Sequence, residues 1–578
     1  MIKYLPDSVR GWLREIHWLA SLYRKHVLRM PEFRTYADIM RLQNEQLQQL
    51  THHTNVEYII SLNVEGYDAV SLKGLLESLI LQSYPHWTLY LFSPTDLDDE
   101  LSTYCSELLS QQGKPNIQLN KVTCLDDEVD IINTALLDKK ESFYISLTGT
   151  GRLHRHALRA ISYRLASHSV SEVIYLDHDE IGEQNLRVSP SFKPRWNPDL
   201  FYSSDYISNA VAIKATLINQ IGGLSSNYGK ALRYELLIRC TFHTEYIEHL
   251  PYVLFHQQSL NTLFNNCNGF AKRALATHLL PYGIDVLDGK LNGTFHVNWP
   301  LPKDIPFASI IIPTRNGKEL VKQCIESIYK KTSYTNFEII LVDNQSDDCN
   351  AIEYFQQLAE QEKVRLLNYD RPFNYSAINN FAVREAKGEI IVLLNNDIEV
   401  ISANWLDEMV RQVSRKEIGC VGAMLYYPDN TIQHAGVVLG LGRCAGHSHK
   451  HYQRGDCGYM NRLKVVQNYS AVTAACLGVR KSVYQQVRGL NEQDLTVAFN
   501  DVDFCIKVRN AGYRNLWSPY IEMFHHESIS RGAEDTPEKK KRAKAEIAYM
   551  QETWQLDTII DPAYSQWLTI AKEDFTFE

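Results

Sequence analysis

No run of apolar residues in the chain approaches the roughly 18 that a membrane span needs, so no spanning helix is expected. Positive charge is not in excess either. The formal net charge is −9 at pH 7, which offers no electrostatic footprint for a nucleic acid. The eleven cysteines are odd in number and include no C-x-x-C pair. That excludes a disulfide framework or a cysteine zinc site and fits free thiols in a reducing cytosol. The first residues lack the layout of a secretory signal, so a cytoplasmic location is expected. What is present is ordinary: 44% hydrophobic and 22% charged residues, as in soluble globular proteins. At 578 residues the chain is too long for one core, and two or more domains are expected.

Residues 1–50 read as a helical appendage. Trp12, Ile16, Leu19, Ala20 and Tyr23 recur at helical spacing, with Arg10, Arg14, Arg24, Lys25 and Arg29 beside them. Two readings stand: an amphipathic helix in peripheral contact with an anionic membrane face, or a helix packed on its own domain with a solvated basic side. The second is preferred. From about residue 56 strands and helices alternate, with strands expected at 58–62, 87–92, 142–147 and 172–176 and a helix at 72–82. This βαβ rhythm predicts a mostly parallel sheet for residues 51–293. Phe192 to Asp199, punctuated by proline, reads as a loop. Residues 294–306 hold Pro300, Pro302 and Pro306 among polar residues and read as a linker. The rhythm then restarts for residues 307–534, with strands at 309–313, 337–343, 364–367 and 390–394 and helices at 317–331, 353–362 and 374–386. Residues 535–578 read as a helical tail. The two halves share this order, and Glu77-Ser78-Leu79…Ser83-Tyr84 parallels Glu326-Ser327-Ile328…Ser333-Tyr334, as expected for a duplicated domain.

In the second half three strands end in polar residues: Pro313-Thr314-Arg315-Asn316, Asp343 to Ser346, and Asn395-Asn396-Asp397. Each alone is explained as a turn. Together, at the carboxyl ends of strands in an open α/β sheet, they predict a ligand edge. A carboxylate such as Asp343 suits a base or ribose, and Asp397 suits a hard divalent cation holding a diphosphate. Asp501 and Asp503 stand two apart where a helix begins. Asp501 is a candidate general base, and the alternative for either is a helix cap or first-turn acid. His525 and His526 follow an apolar strand. His447, His449 and His451 form H-x-H-x-H, but Gly440, Gly442, Gly446 and Gly455 surround them, and a flexible loop on the acceptor side is preferred to a metal site.

These stretches, from SIIIPTRNG and FEIILVDNQSDD through RPFNYSAINNFAV, LLNNDIEVISANWLDEM, DNTIQHAGVVLG, AGHSHK and VTAACLGVR to LTVAFNDVDFCIKVRNAGYRNLWSPY and HHESISRG, resemble the inverting family 2 glycosyltransferases of GT-A fold. The subgroup is that of large bacterial two-domain proteins linked to O-antigen, capsule or rhamnose-containing glycans. The resemblance implies two tandem GT-A domains. It implies a nucleotide-sugar site at Pro313, Thr314, Arg315, Asn316, Asp343, Asn395 and Asn396, with Arg531 at the leaving diphosphate. Asp397 would hold Mn²⁺ or Mg²⁺, with His525 or His526 completing the shell. Asp501 would be the base, and His447, His449 and Asp503 would lie on the acceptor side. Rhamnose is the first expectation for the sugar and a glycan or lipid-linked oligosaccharide for the acceptor. The Q-x-x-R-W motif of processive synthases is absent. A nucleotidyltransferase would carry a Gly-rich phosphate loop with a Lys, and Pro313 to Gly317 has none.

The first half resembles the same fold through YLDHDEI, FKPRWNPDLFYSSDYI and IGGL, with its chemistry erased. Thr148 to Gly151 stand where relatives carry acids, and Arg233 stands where the base would be. Asp177, Asp179 and Glu180 remain as acids that would restore a site. A scaffold or acceptor-binding role is preferred to a second active centre, and a bifunctional enzyme or a non-catalytic carbohydrate-binding protein is the alternative.

Overall fold

A computed structural model describes residues 35–51, 54–64, 69–93, 116–147, 151–258, 268–526, 536–556 and 558–577. The sequence expectations for Trp12 to Arg29, for Thr148 to Thr150 and for Arg531 lie outside these residues.

Two sheets carry the architecture. The first is built from β1 (Tyr58–Asn63), β2 (Trp87–Ser93), β3 (Asn116–Lys121), β4 (Phe143–Leu147), β5 (Gly151–Leu153), β6 (Val173–Ile181), β7 (Arg187–Ser191), β8 (Ala212–Lys214) and β9 (Ile247–Gln258). Its order is β3-β2-β1-β4-β8-β6-β9-β5, with β7 beside β6. A hairpin of β10 (Asp285–Asp288) and β11 (Phe295–Asn298) follows. The second sheet comprises β12 (Ala308–Thr314), β13 (Phe337–Asp343), β14 (Arg365–Asn368), β15 (Ile390–Leu394), β16 (Ile398–Val400), β17 (Ile418–Tyr426), β18 (Ile432–His434), β21 (Gln467–Tyr469), β22 (Cys476–Arg480) and β23 (Arg514–His525). Between β18 and β21 lies a hairpin of β19 (Val437–Leu439) and β20 (Ala445–His447).

The second sheet runs β14-β13-β12-β15-β22-β17-β23-β16, the first sheet's order strand for strand. The register agrees to the residue. Tyr58 pairs with Phe143 as Ala308 pairs with Ile390, so Leu147 corresponds to Leu394 and residues 148–150 to Asn395–Asp397. The strands form because their cores are continuous aliphatic runs. All five residues of β15 are buried, as a central strand covered by helices on both faces requires.

Three expectations change. Residues 294–306 are not all linker. Phe295 and Val297 are buried in the first half's core and His296 bonds Glu408 of the second half at 3.1 Å. The alternation of Phe-His-Val-Asn carried a strand signal that the neighbouring prolines obscured. The tail is helical only over Pro537–Trp554. Beyond it the chain follows turns and buries Trp567, Leu568 and Phe575 against the second half. The loop at Phe192–Asp199 gives way at Pro198 to a short helix, Pro198–Ser203, capped by Asn197. This segment docks on the second half: the Asn197 side chain donates to Asn468 O and accepts from Asn468 N, both at 2.9 Å, and buried Asp199 pairs with Arg415 at 2.6 Å.

Candidate active site

Strand β15 carries its aliphatic residues into the core and releases Asn395, Asn396 and Asp397 at its carboxyl end, before β16 turns back against β23. That pairing sets Ile398 opposite His525. Asp397, almost fully buried, therefore faces His525, with its Oδ1 3.1 Å from His525 Nε2. His525 Nδ1 lies 2.6 Å from Gln433 Oε1 on β18. An amide oxygen only accepts, so Nδ1 carries a proton, and Nε2 is the ring nitrogen that faces Asp397. Asn395 Nδ2 stands 3.3 Å from the same nitrogen. A carboxylate oxygen and an imine nitrogen at this distance repel unless a proton or a cation lies between them. The separation suits a small divalent cation, because neighbouring corners of an octahedron with bonds of about 2.1 Å lie about 3.0 Å apart. Asp397 and His525 would thus supply two donors to a Mn²⁺ or Mg²⁺ shell, and among the described residues no group of three or more such ligands stands together. Burial, and then the charge of Asp397, push the thiol of Cys324 upward.

The ends of β12 and β13 meet beside this corner. Asn396 donates to Thr314 Oγ1 at 3.0 Å, and half-buried Asp343 accepts from Ser346 Oγ and N. Asn316 sits at φ 54°. Its side chain accepts from the Asp347 and Asp348 amides, both at 3.0 Å, and donates to Asp347 Oδ1. Its side chain thereby ties two strand-end loops together. Arg315, exposed, pairs with Asp347 at 3.3 Å, and Pro313 is half-buried at the same edge.

A cavity of about 320 Å³ opens next to Asn395, lined by Tyr375, His447, Ala474, Phe499 and Asp501 among others. Asp501 lies in the first turn of the helix Asn500–Asn510. Its Oδ2 accepts from Ala474 N at 3.0 Å and its Oδ1 from Val502 N at 2.8 Å. Phe499 before it is held at φ 57°, a conformation a bulky residue adopts only where its surroundings impose it. Tyr375 hydroxyl, 3.2 Å from Ala474 O and 3.4 Å from Asn395 Oδ1, braces the wall. His447 enters from β20. Its Nδ1 is 2.8 Å from Nδ1 of fully buried His434. Burial, with the nearby charge of Lys450 and the ring of His525, holds the His447 pKa down to about 4.

Three assigned residues lie elsewhere. His526 turns outward to Glu399 and Gln323, both at 3.3 Å, so His525 is the histidine at Asp397. His449 is fully buried behind the hairpin, accepting from Tyr459 N at 3.0 Å and stacked on Phe575 with centroids 4.3 Å apart. The glycine-rich stretch is thus an ordered hairpin with an apolar back, not a flexible loop. Asp503, buried, pairs with Lys507 at 3.0 Å and accepts from Trp554 Nε1 at 3.0 Å. It faces away from the cavity because it lies two residues beyond Asp501 on a helix. Sequence reasoning assigned no role to Gln433, His434 or Tyr375, although all three stood inside recognised stretches; only the pairing of β18 with β17 reveals what Gln433 and His434 orient.

The first half is the internal comparison. Its helix Leu232–Thr241 carries Arg233 where the second half has Asp501, and Glu235 with Arg239 at 2.7 Å where the second has Asp503 with Lys507. The ion pair persists in both copies and the cavity acid in one. Gln257 pairs with Gly151 as His525 pairs with Ile398, so the histidine is gone as well. The space beside Arg233 is about 10 Å³. Asp177 and Asp179 are fully buried and bonded to His249 and His256, each at 2.7 Å, which leaves them committed to the core instead of a ligand.

Residues 309–487 match the family model described as Glycosyl transferase family 2. An uncharacterized protein y4gI of Sinorhizobium fredii is 38% identical over 98% of this chain and 61% of its own length. The O-antigen biosynthesis protein RfbC of Myxococcus xanthus is 29% identical over 89% of this chain and 41% of its own length. The chain therefore spans less than two thirds of either relative. A solved mannosyltransferase from Pyrobaculum calidifontis, in complex with GDP-Man and Mn²⁺, resembles 46% of this chain and 69% of its own at 16% identity and a TM-score of 0.33.

Proposed function

From the match of residues 309–487 to the family model described as Glycosyl transferase family 2, we propose that the second half of this chain moves a sugar from a nucleotide-sugar donor to a hydroxyl of a growing surface glycan, with inversion at the anomeric carbon. The observation that carries this reading is the pairing of two chemistries on one sheet edge: Asp397 facing His525 at 3.1 Å, and Asp501 in the adjoining cavity. The diphosphate end of the donor belongs at Asp397 and the acceptor in the cavity, with Asp343 on the nucleoside side. A divalent cation held by Asp397 and His525 would screen the charge of the leaving diphosphate. Asp501 takes the proton from the acceptor hydroxyl as that oxygen attacks. Hydrogen bonds from the backbone N–H groups of Ala474 and Val502 hold its carboxylate while it does so. One displacement inverts the centre, and no covalent enzyme intermediate is needed.

The first half serves as a scaffold. Arg233 in place of the acid and the near absence of space beside it support this. Among the described residues no helix is long and apolar enough to cross a membrane. The acceptor, a glycan or lipid-linked oligosaccharide, is suggested by the relative in O-antigen biosynthesis. The test is nucleoside diphosphate release from a donor panel, dTDP-rhamnose first and UDP-hexoses next, with Mn²⁺ or Mg²⁺ present. Asp501→Asn should lower transfer by about 10²-fold or more with nucleotide affinity retained. Near-normal turnover by that variant removes Asp501 from the role, and no release from any donor refutes the transfer reading.

A further inference from the structure

The proton positions of two buried histidines can be worked out from their partners. His434 Nε2 lies 3.3 Å from Gly436 N and 3.5 Å from Thr473 N. Backbone N–H groups only donate, so this nitrogen accepts and the ring proton of His434 is on Nδ1. That proton points at His447 Nδ1, 2.8 Å away, which must accept. The proton of His447 is therefore on Nε2, for which no hydrogen-bond partner exists among the described residues. His447 is among the residues lining the cavity that also holds Asp501 and Asn395. Its backbone is held from the other side, because His447 N donates to Glu573 Oε1 at 2.7 Å and Val437 pairs with it across the hairpin.

We propose that His447 is a fixed hydrogen-bond donor on the acceptor side of the cavity, presenting Nε2–H to an oxygen of the incoming sugar other than the attacking one. The attacking oxygen gives its proton to Asp501 and needs its lone pair for the new bond, so a donor to that lone pair would slow the attack. A donor to a neighbouring hydroxyl or ring oxygen instead fixes which hydroxyl meets the anomeric carbon. His447 is thus a positioning residue that selects acceptors by a lone pair at one place. His434 is what makes it a donor and not an acceptor, since a His434 proton on Nε2 would reverse the polarity of both rings. This inference rests on the glycosyl-transfer reading for its use of the cavity, but the tautomer pair stands apart from it.

Two measurements on the full chain keep these separate. In histidine labelled with ¹⁵N, signals assigned by their loss in His434→Gln and His447→Gln should show His434 protonated at Nδ1 and His447 at Nε2 at pH 7. A His447 protonated at Nδ1, or at both nitrogens, overturns the proposal. In transfer assays with methyl glycosides of common hexoses and deoxyhexoses as acceptor probes, His447→Phe should raise the acceptor KM about three- to tenfold, the loss of one neutral hydrogen bond, with kcat less affected. His447→Gln, whose amide can donate, should recover part of it. One monodeoxy acceptor should lose affinity with the wild type yet match its parent with His447→Phe. Equal losses in both proteins for every deoxy acceptor overturn the proposal. No transfer by the wild type to any probe from any donor counts instead against the transfer reading and the acceptor role built on it.

Discussion

Asp397 becomes useful through its neighbours. Its carboxylate faces a histidine whose ring is oriented by Gln433, 2.6 Å from Nδ1. Second partners of this kind are worth about 10- to 100-fold in metal affinity. Gln433→Leu should therefore weaken Mn²⁺ binding by at least about tenfold, read by calorimetry with nucleoside diphosphate present, and unchanged affinity would show that Gln433 does not orient the ligand. Asp397→Ala should abolish the metal dependence together with transfer. His526→Ala should change Mn²⁺ affinity little, because that ring pairs with Glu399. The identity of Asp397 was legible in the sequence from its place after five apolar residues. The choice between His525 and His526 was not, since alternate residues of a strand point to opposite faces and the sequence does not say which face the cation would occupy.

Elements were read well where they are long and periodic. Strand β13 and the helix Lys318–Lys331 fall within a residue of expectation. Errors gathered where a short strand hides among prolines, as at β11, and where glycines suggested mobility that a hairpin and the C-terminal segment remove, as around His447 and His449. The segment beginning at Phe192 was read as a plain loop, yet with β11 it joins the two halves. Asp199 on its short helix is buried against Arg415, itself stacked on Trp299 at 3.9 Å. Breaking a buried pair from one side typically costs about 3–5 kcal/mol. Asp199→Ala should lower stability by that order in denaturant unfolding, and a loss below about 1 kcal/mol would mean that the pair contributes little to the junction.

Over the whole molecule, the halves share buried polar pairs as well as apolar surface: Asp199 with Arg415, His296 with Glu408, and Asn197 with Asn468. The second half produced alone, residues 307–578, should be insoluble or lack a cooperative unfolding transition. A soluble fragment that unfolds cooperatively and binds nucleotide would show that the first half is dispensable. Stability should also depend on pH in a set direction. Burial first of all holds His154 and His178 down to about 3 and His447 to about 4, whereas an unfolded histidine titrates near 6.5. Between these values the unfolded chain binds more protons than the folded one, so stability falls as pH drops below about 6.5. The thermal midpoint should decline from pH 7 to pH 5, and a flat profile would contradict the buried neutral rings.

The sequence by itself determined the duplication, the alternating α/β order and the acid at the end of β15, because these depend on local periodicity and on runs of apolar side chains. It also carried the asymmetry between the halves, since Arg233 and Asp501 stand at matching places in matching helices. Only the tertiary structure decided which polar residues share a site. Strand pairing brings Gln433 and His525 to Asp397 across 36 and 128 residues of chain, and the hairpin brings His447 to Asp501. Those encounters depend on the crossing of strands in space, which no local pattern encodes. For the acid at the end of β15, what changed is its company: a buried carboxylate facing an oriented histidine, beside a cavity whose own acid, Asp501, lies on another element.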